Sequence, residues 1–215
     1  MTTPPDQGPA QISFMQEVYR KATHTAALVI PAGYEFLDLS KKQMLTIMVP
    51  ITVLMYIIDI SRLRGWPLWT NSVNVVFGKM IRRHEIDGDW TGATYILTSV
   101  CSTVALFPRP IAVAALAFIM VGDTLAALIG RRFGRHKIGR KSVEGSLACL
   151  AGTSVVAFCV PDLPLQIGLL GAVAAAIVEA LPLGVDDNIT VPLIAGVLMT
   201  LAAKIAMLTE IVKNG

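Results

Sequence analysis

Six carboxylates stand where apolar stretches meet basic ones: Asp59, Asp123, Glu144, Glu179, Asp186 and Asp187. Between Asp123 and Glu144 the chain runs through Arg131, Arg132, Arg135, Lys137, Arg140 and Lys141. Clustered carboxylates beside arginines and lysines suit a metal-bound polyphosphate. Mg²⁺ takes oxygen ligands, usually one or two carboxylates together with substrate phosphates. Arg and Lys neutralise phosphate oxygens, Arg often bidentately. Gly130, Gly134, Gly139 and Gly145 punctuate the same stretch, and glycine lets backbone N–H groups come close to a phosphate. Ser142 is placed to cap a following helix, whose positive end then faces an anion.

The order of these residues separates them from a P-loop. After Gly134 and Gly139 comes Arg140, so Lys141 and Ser142 are each displaced by one from G-x-x-x-x-G-K-[ST]. An apolar helix precedes the stretch where the motif requires a strand.

The elements that must carry these residues are membrane helices. Of 215 residues, 54% are hydrophobic and only 15% charged, where a soluble domain carries about 25% charged residues. Mean hydropathy is +0.63. Seven apolar segments are expected as helices: Ala22–Leu37, Met44–Ile60, Thr91–Phe107, Ile111–Ile129, Val143–Val160, Leu165–Leu181 and Ile189–Ile211. The first is interrupted by Pro31 and Gly33 and is barely long enough to span. Pro108 and Pro110, Pro161 and Pro164, and Pro182 mark turns between them. A short amphipathic helix is expected at Ile12–Lys21 and an interfacial one at Trp66–Met80. Residues 1–11 read as a disordered tail without the basic n-region of a signal peptide. The fold class is therefore an all-α polytopic bundle, one domain over residues 12–215, with a basic loop at 130–142. Cys101, Cys149 and Cys159 lie in apolar segments without metal-site spacing.

Lys and Arg placement sets the orientation. Thirteen of the 18 fall on the side that holds the N-terminus, the 61–89 stretch, the 130–142 loop and the 182–188 turn. That side is expected to be cytoplasmic, with the C-terminus outside, and Lys41 and Lys42 are the dissenting pair. All six carboxylates approach the same face. Charges within spanning segments are expensive and commonly mark a functional site.

Gly122-Asp123, Ala126, Gly130, Phe133-Gly134 and Lys141 to Ser146 resemble the core motif of the dolichol kinase, phytol kinase and CTP-dependent diacylglycerol kinase family. Val178 to Leu181 with Asp186 to Pro192 resembles its second motif. Arg20-Lys21 with His24 is similar to its N-terminal element, and Asp59 with Arg62 to the element after helix two. The chain lacks the extra helices of eukaryotic dolichol kinases, which favours the diacylglycerol, phytol or polyprenol branch.

The resemblance implies transfer of the γ-phosphate of CTP to the hydroxyl of a membrane lipid alcohol, with Mg²⁺, at the cytoplasmic membrane edge. On that basis Asp123, with Asp186 or Asp187, is expected to hold the metal. Arg20, Lys21, Arg131, Arg140 and Lys141 are expected to neutralise phosphates. Gly130, Gly134, Ser142 and Gly145 would cradle them, and Asn188 would bind metal or base. Glu144 or Glu179 would take the hydroxyl proton or hold a second metal. Two other readings stand beside this one. A CTP:phosphatidate cytidylyltransferase would share the membrane, CTP and paired acids, but its His-Gly-Gly ending is absent. A transporter without chemistry would explain the charged bundle but not the one-sided carboxylates. Nothing in the sequence points to a nucleic-acid partner.

Overall fold

The computed structural model describes residues 21–66, 88–139 and 141–214. The expected tail, almost all of the Ile12–Lys21 and Trp66–Met80 helices, and Arg20 and Arg140 lie outside these residues.

Each of the seven apolar segments carries a helix. They are α1 (Val29–Phe36), α2 (Lys41–Leu63), α3 (Gly92–Leu106), α4 (Arg109–Phe133), α5 (Val143–Cys159), α6 (Leu165–Ala180) and α7 (Asp187–Asn214). By length and composition α2, α4 and α7 can each cross a membrane, and α3, α5 and α6 are shorter apolar helices. The polar ends are built as helix ends usually are. Ser40 and Gln43 form a reciprocal capping box at the start of α2. Gly65, with φ 63°, ends it in a left-handed turn, and Trp66 N–H donates back to Ser61 O.

The first segment is not continuous. Residues 21–26 are helical, 27–28 form a turn, and α1 follows. Pro31 has no N–H with which to reach Ala27 O in an unbroken helix. That carbonyl instead accepts from Ile30 N at 3.0 Å.

Helix α4 is the centre of the bundle. Every residue from Ile111 to Met120 is buried, so this turn-by-turn apolar stretch has no lipid-facing side. It packs against α1, α3, α5, α6 and α7. Large apolar side chains on the outer helices point outward instead, among them Leu54, Phe158, Ile177 and Ile205. That is the inverse of a soluble protein's surface and matches hydrocarbon.

Small residues let the helices approach, as is usual where lipid supplies no hydrophobic drive between them. A Cβ on Gly122 would stand 2.7 Å from Cys149 Sγ on α5, and one on Gly171 would stand 2.5 Å from Met199 Sδ on α7.

Between α4 and α5 the expected basic loop is a small hairpin. Strand β1 (Lys137–Ile138) pairs antiparallel with β2 (Lys141–Ser142), Lys137 opposite Ser142 and Ile138 opposite Lys141. Gly139 turns it at φ 59°, where other residues are strained.

Close α4–α5 contact yields a direct test. A Cβ on Gly145 would lie 2.7 Å from the backbone oxygen of Ala126, which cannot rotate away. Gly145→Val is expected to destabilise the protein by about 1–3 kcal/mol through overpacking, seen as a lower melting temperature in detergent. Gly33→Ala, with nothing within 4 Å of the new methyl, should leave the melting temperature unchanged or raise it.

Candidate active site

One end of the bundle gathers the C-terminal ends of α4 and α6, the N-terminal ends of α5 and α7, the hairpin, and residues 21–26. Asp123 lies on α4 just past its fully buried stretch. Lys21, only 2% exposed, donates from Nζ to Asp123 Oδ2. His24 Nε2 sits 3.5 Å from the same oxygen and 3.4 Å from Ile119 O. Thr25 Oγ1 and Thr124 Oγ1 are 3.1 Å apart. The element Lys21 to Thr25 is thus docked along α4 by its polar side chains.

Lys141 ties the other helices together. Its Nζ lies 3.1 Å from Glu179 Oε1 on α6 and 3.0 Å from Asp187 Oδ2 on α7. Burial opposes its charge, but the two carboxylates outweigh that, and its pKa stands above the ordinary lysine value.

These groups border one cavity of about 370 Å³. Its charged lining is Lys21, Arg131, Lys137 and Lys141 against Asp123, Glu179 and Asp187. Ala126, Ala127, Gly130, Ser142, Gly145 and Ser146 complete the wall. Lys137 and Ser146 join it without having been singled out as site residues. Residues 136–138 were expected as loop, and only strand pairing shows which face of the hairpin meets the cavity.

Ser142 caps α5 as expected, its Oγ accepting from Gly145 N at 3.2 Å. That N–H is therefore spent inside the protein. The glycines serve packing around this hydroxyl. A Cβ on Gly130 would meet Ser142 Oγ at 2.9 Å, and one on Gly134 would meet Gly130 O at 2.2 Å. Gly134 itself is not part of the cavity lining.

Three of the six carboxylates are not part of that lining. Glu144 Oε1 is 2.8 Å from His136 Nδ1, and both its oxygens meet His136 N, so it fastens the base of the hairpin. Asp186 Oδ1 accepts from Asn188 N at 2.9 Å and Asn188 Nδ2 at 2.6 Å, closing the turn before α7. Asp59 is fully buried and binds α2 to α3. Its Oδ2 accepts from Thr91 N, Thr91 Oγ1 and Thr94 Oγ1 at 2.9, 2.9 and 2.6 Å. Arg62 Nε reaches its Oδ1 at 3.1 Å and Arg62 Nη2 reaches Asp89 O at 2.6 Å.

Among the described residues no three His, Cys, Asp or Glu side chains stand together as a ready metal cage. The donor chemistry nonetheless fits Mg²⁺ held jointly with phosphates. Asp123 and Asp187 border the same cavity, and Asn188 Oδ1, next in the chain, is buried with no hydrogen-bond partner. Hard oxygen donors of this number are what Mg²⁺ takes from a protein when substrate supplies the rest.

Fold and cavity together define a helical membrane protein with a carboxylate–lysine site at one end of its bundle. Comparison with known proteins agrees with the motifs. The chain is 28% identical to CTP-dependent diacylglycerol kinase 1 of Schizosaccharomyces pombe over 226 residues, covering 89% of this chain and 96% of that protein. It is 26% identical to CTP-dependent diacylglycerol kinase 1 of Saccharomyces cerevisiae, covering 87% of this chain and 74% of that one. A probable chloroplastic phytol kinase 2 of Oryza sativa is 35% identical over 121 residues, 47% of this chain and 40% of the rice protein. The chain is thus a relative of the CTP-dependent diacylglycerol kinases and phytol kinases. No family model matches it, and no solved structure does.

The division between site and scaffold is testable. Asp59→Ala removes the acceptor of four hydrogen bonds from Thr91, Thr94 and Arg62 and is expected to cost about 3–5 kcal/mol, read as a fall in melting temperature. Because Asp59 does not border the cavity, Asp123→Asn should add its own effect on melting temperature independently in the double variant.

Proposed function

We propose that the chain is a membrane lipid kinase that moves the γ-phosphate of CTP onto the hydroxyl of a lipid alcohol, a diacylglycerol or a phytol-type alcohol, at the cytoplasmic face. The observation that carries this reading is the cavity where Asp123, Glu179 and Asp187 meet Lys21, Arg131, Lys137 and Lys141 at one end of an apolar bundle. It is supported by relatives named as CTP-dependent diacylglycerol kinases that align over nearly the whole chain.

In this reading the triphosphate enters the cavity beside the hairpin. Lys137 and Arg131, both exposed, meet it first, and Lys21 and Lys141 turn from carboxylate to phosphate oxygens. Asp123 and Asp187 would hold Mg²⁺, with Asn188 beside them. Bound there, the ion would supply neutralisation of the phosphate charge that builds up in transfer. Phosphoryl transfer needs positioning and charge stabilisation more than covalent chemistry, and no nucleophilic Ser or Cys is called for. The lipid reaches the cavity sideways, past the small wall of Ala126, Ala127 and Ser146 between α4 and α5. Its chains stay along the outward apolar faces. The cytoplasmic assignment rests on the bias of Lys and Arg toward this end.

The test uses purified protein in mixed micelles with diacylglycerol, phytol or polyprenol and CTP labelled at the α- or the γ-phosphate. Label should enter lipid from the γ-position only; entry from the α-position would mean a cytidylyltransferase. Asp123→Asn should lower transfer by about 100-fold or more, the scale of losing an electrostatic anchor in a phosphate site, in protein that is still folded. Removing the partner of buried Lys21 lowers the melting temperature as well, so activity is read below the variant's own transition; an active, folded Asp123→Asn variant would remove Asp123 from the site.

A further inference from the structure

The three carboxylates of the cavity differ in exposure and in what they bond. Asp123, with its side chain 20% exposed, is held by Lys21 and His24. Asp187 is 32% exposed and bonds Lys141. Glu179 is only 6% exposed. Its Oε1 pairs with Lys141, while its Oε2 is buried and has no hydrogen-bond partner. A purely structural ion pair gains by satisfying both oxygens, since a buried unpaired acceptor costs about 1–3 kcal/mol and more when charged. This one stays unpaired on a residue that borders the cavity.

What can fill that position follows from donor and acceptor counting. Phosphate oxygens of a nucleoside triphosphate accept hydrogen bonds and repel a carboxylate. A lipid alcohol brings one O–H donor. Between the two reacting groups, an acceptor lacking a donor is therefore complementary to the alcohol hydroxyl and not to the triphosphate oxygens. The neighbouring wall of Ala126, Ala127 and Ser146 leaves room for a chain-bearing carbon. Glu144, the other candidate glutamate, already has His136 on both oxygens.

Resting on the kinase reading above, we propose that Glu179 Oε2 takes the hydrogen bond of the acceptor hydroxyl and receives its proton during transfer. The lipid O–H bond breaks as the lipid O–Pγ bond forms. The bond from Pγ to the β-bridging oxygen breaks, and CDP leaves with that electron pair. The proton ends on the Glu179 carboxylate, which later returns it to solvent. Lys141 on Oε1 keeps the side chain turned so that Oε2 is the free oxygen.

The experiment compares wild type, Glu179→Gln and Glu179→Asp as full-length proteins in mixed micelles. It measures lipid phosphorylation, equilibrium binding of labelled CTP, Mg²⁺ half-saturation and melting temperature. For Glu179→Gln, kcat should fall by about 100-fold or more, the range of a lost general base. KM for CTP, CTP binding and Mg²⁺ half-saturation should move by less than about 2-fold, as for an interaction made only with the acceptor. Glu179→Asp keeps the carboxylate and should recover part of kcat. Parallel losses of CTP binding or a raised Mg²⁺ requirement would assign Glu179 to the nucleotide or metal and overturn the proposal, as would an unchanged kcat. If Glu179→Gln does not fold, Glu179→Asp decides: reduced kcat at intact CTP affinity supports the assignment, and wild-type kcat refutes it. Wild-type protein that transfers no γ-phosphate to any alcohol would instead sink the kinase reading itself.

Discussion

Lys141 is held between Glu179 at the end of α6 and Asp187 at the start of α7. The rest of the site depends on this double pairing. An unpaired charge at the edge of an apolar bundle is expensive, and breaking one partner of a buried pair costs several kcal/mol because the other is left alone. Lys141 satisfies two such carboxylates at once, and Lys21 satisfies Asp123. The pairs also set geometry. Lys141 fixes the hairpin against α6 and α7, and Lys21 fixes residues 21–26 against α4. Five separate parts of the chain thereby face one cavity.

That arrangement requires a rigid centre, and α4 provides it. Because Ile111 to Met120 is buried all round, the helix cannot rotate without exposing one side or clashing on another. Asp123 sits three residues beyond this stretch, so its direction is inherited from the packing. Gly122 and Gly130 lie on either side of Asp123 along the same helix, where α5 comes close enough to touch the backbone. The glycines that read as phosphate-cradling residues therefore act one step earlier. They bring α5 near enough for Ser142 and Lys141 to border the cavity.

Much of this was legible in the sequence. Hydropathy located the seven helical segments found among the described residues, because membrane helices bury apolar surface along their whole length. Ser142 before an apolar run announced its helix cap, since capping depends on local chemistry alone. The common face of the carboxylates followed from alternating the segments across the membrane. What was not legible depends on three-dimensional partners. Nothing in the run Ile111–Met120 distinguishes a central helix from a lipid-facing one, as both are uniformly apolar. Asp59 and Asp123 look alike in sequence, each a single acid in a helix. Only packing shows that Asp59 meets Thr91 and Thr94 while Asp123 meets a cavity. Glu144 and Glu179 were equivalent candidates until the hairpin's fold turned Glu144 to His136. The break at residues 27–28 was signalled by Pro31, but the sequence placed it four residues too late, because proline removes the bond of the turn before it.

The charge inventory of the cavity bears on how it would work under the proposed function. Four cationic and three anionic side chains line it, so without nucleotide the site is close to neutral, and Lys21 and Lys141 pair with its three carboxylates. A triphosphate alone would meet three repelling carboxylates. Accompanied by a divalent cation it presents both signs, and each existing pair can be exchanged: lysine to phosphate, aspartate to cation. None of these paired charges is left alone in either state, which keeps both states tolerable at the edge of a low-dielectric bundle. The exchange also explains why lysines rather than arginines sit at the two buried pairs. A flexible ammonium can swing from a carboxylate to a phosphate oxygen, whereas a guanidinium fork is selected for holding one partner bidentately. The arginine in the lining, Arg131, lies at the exposed rim.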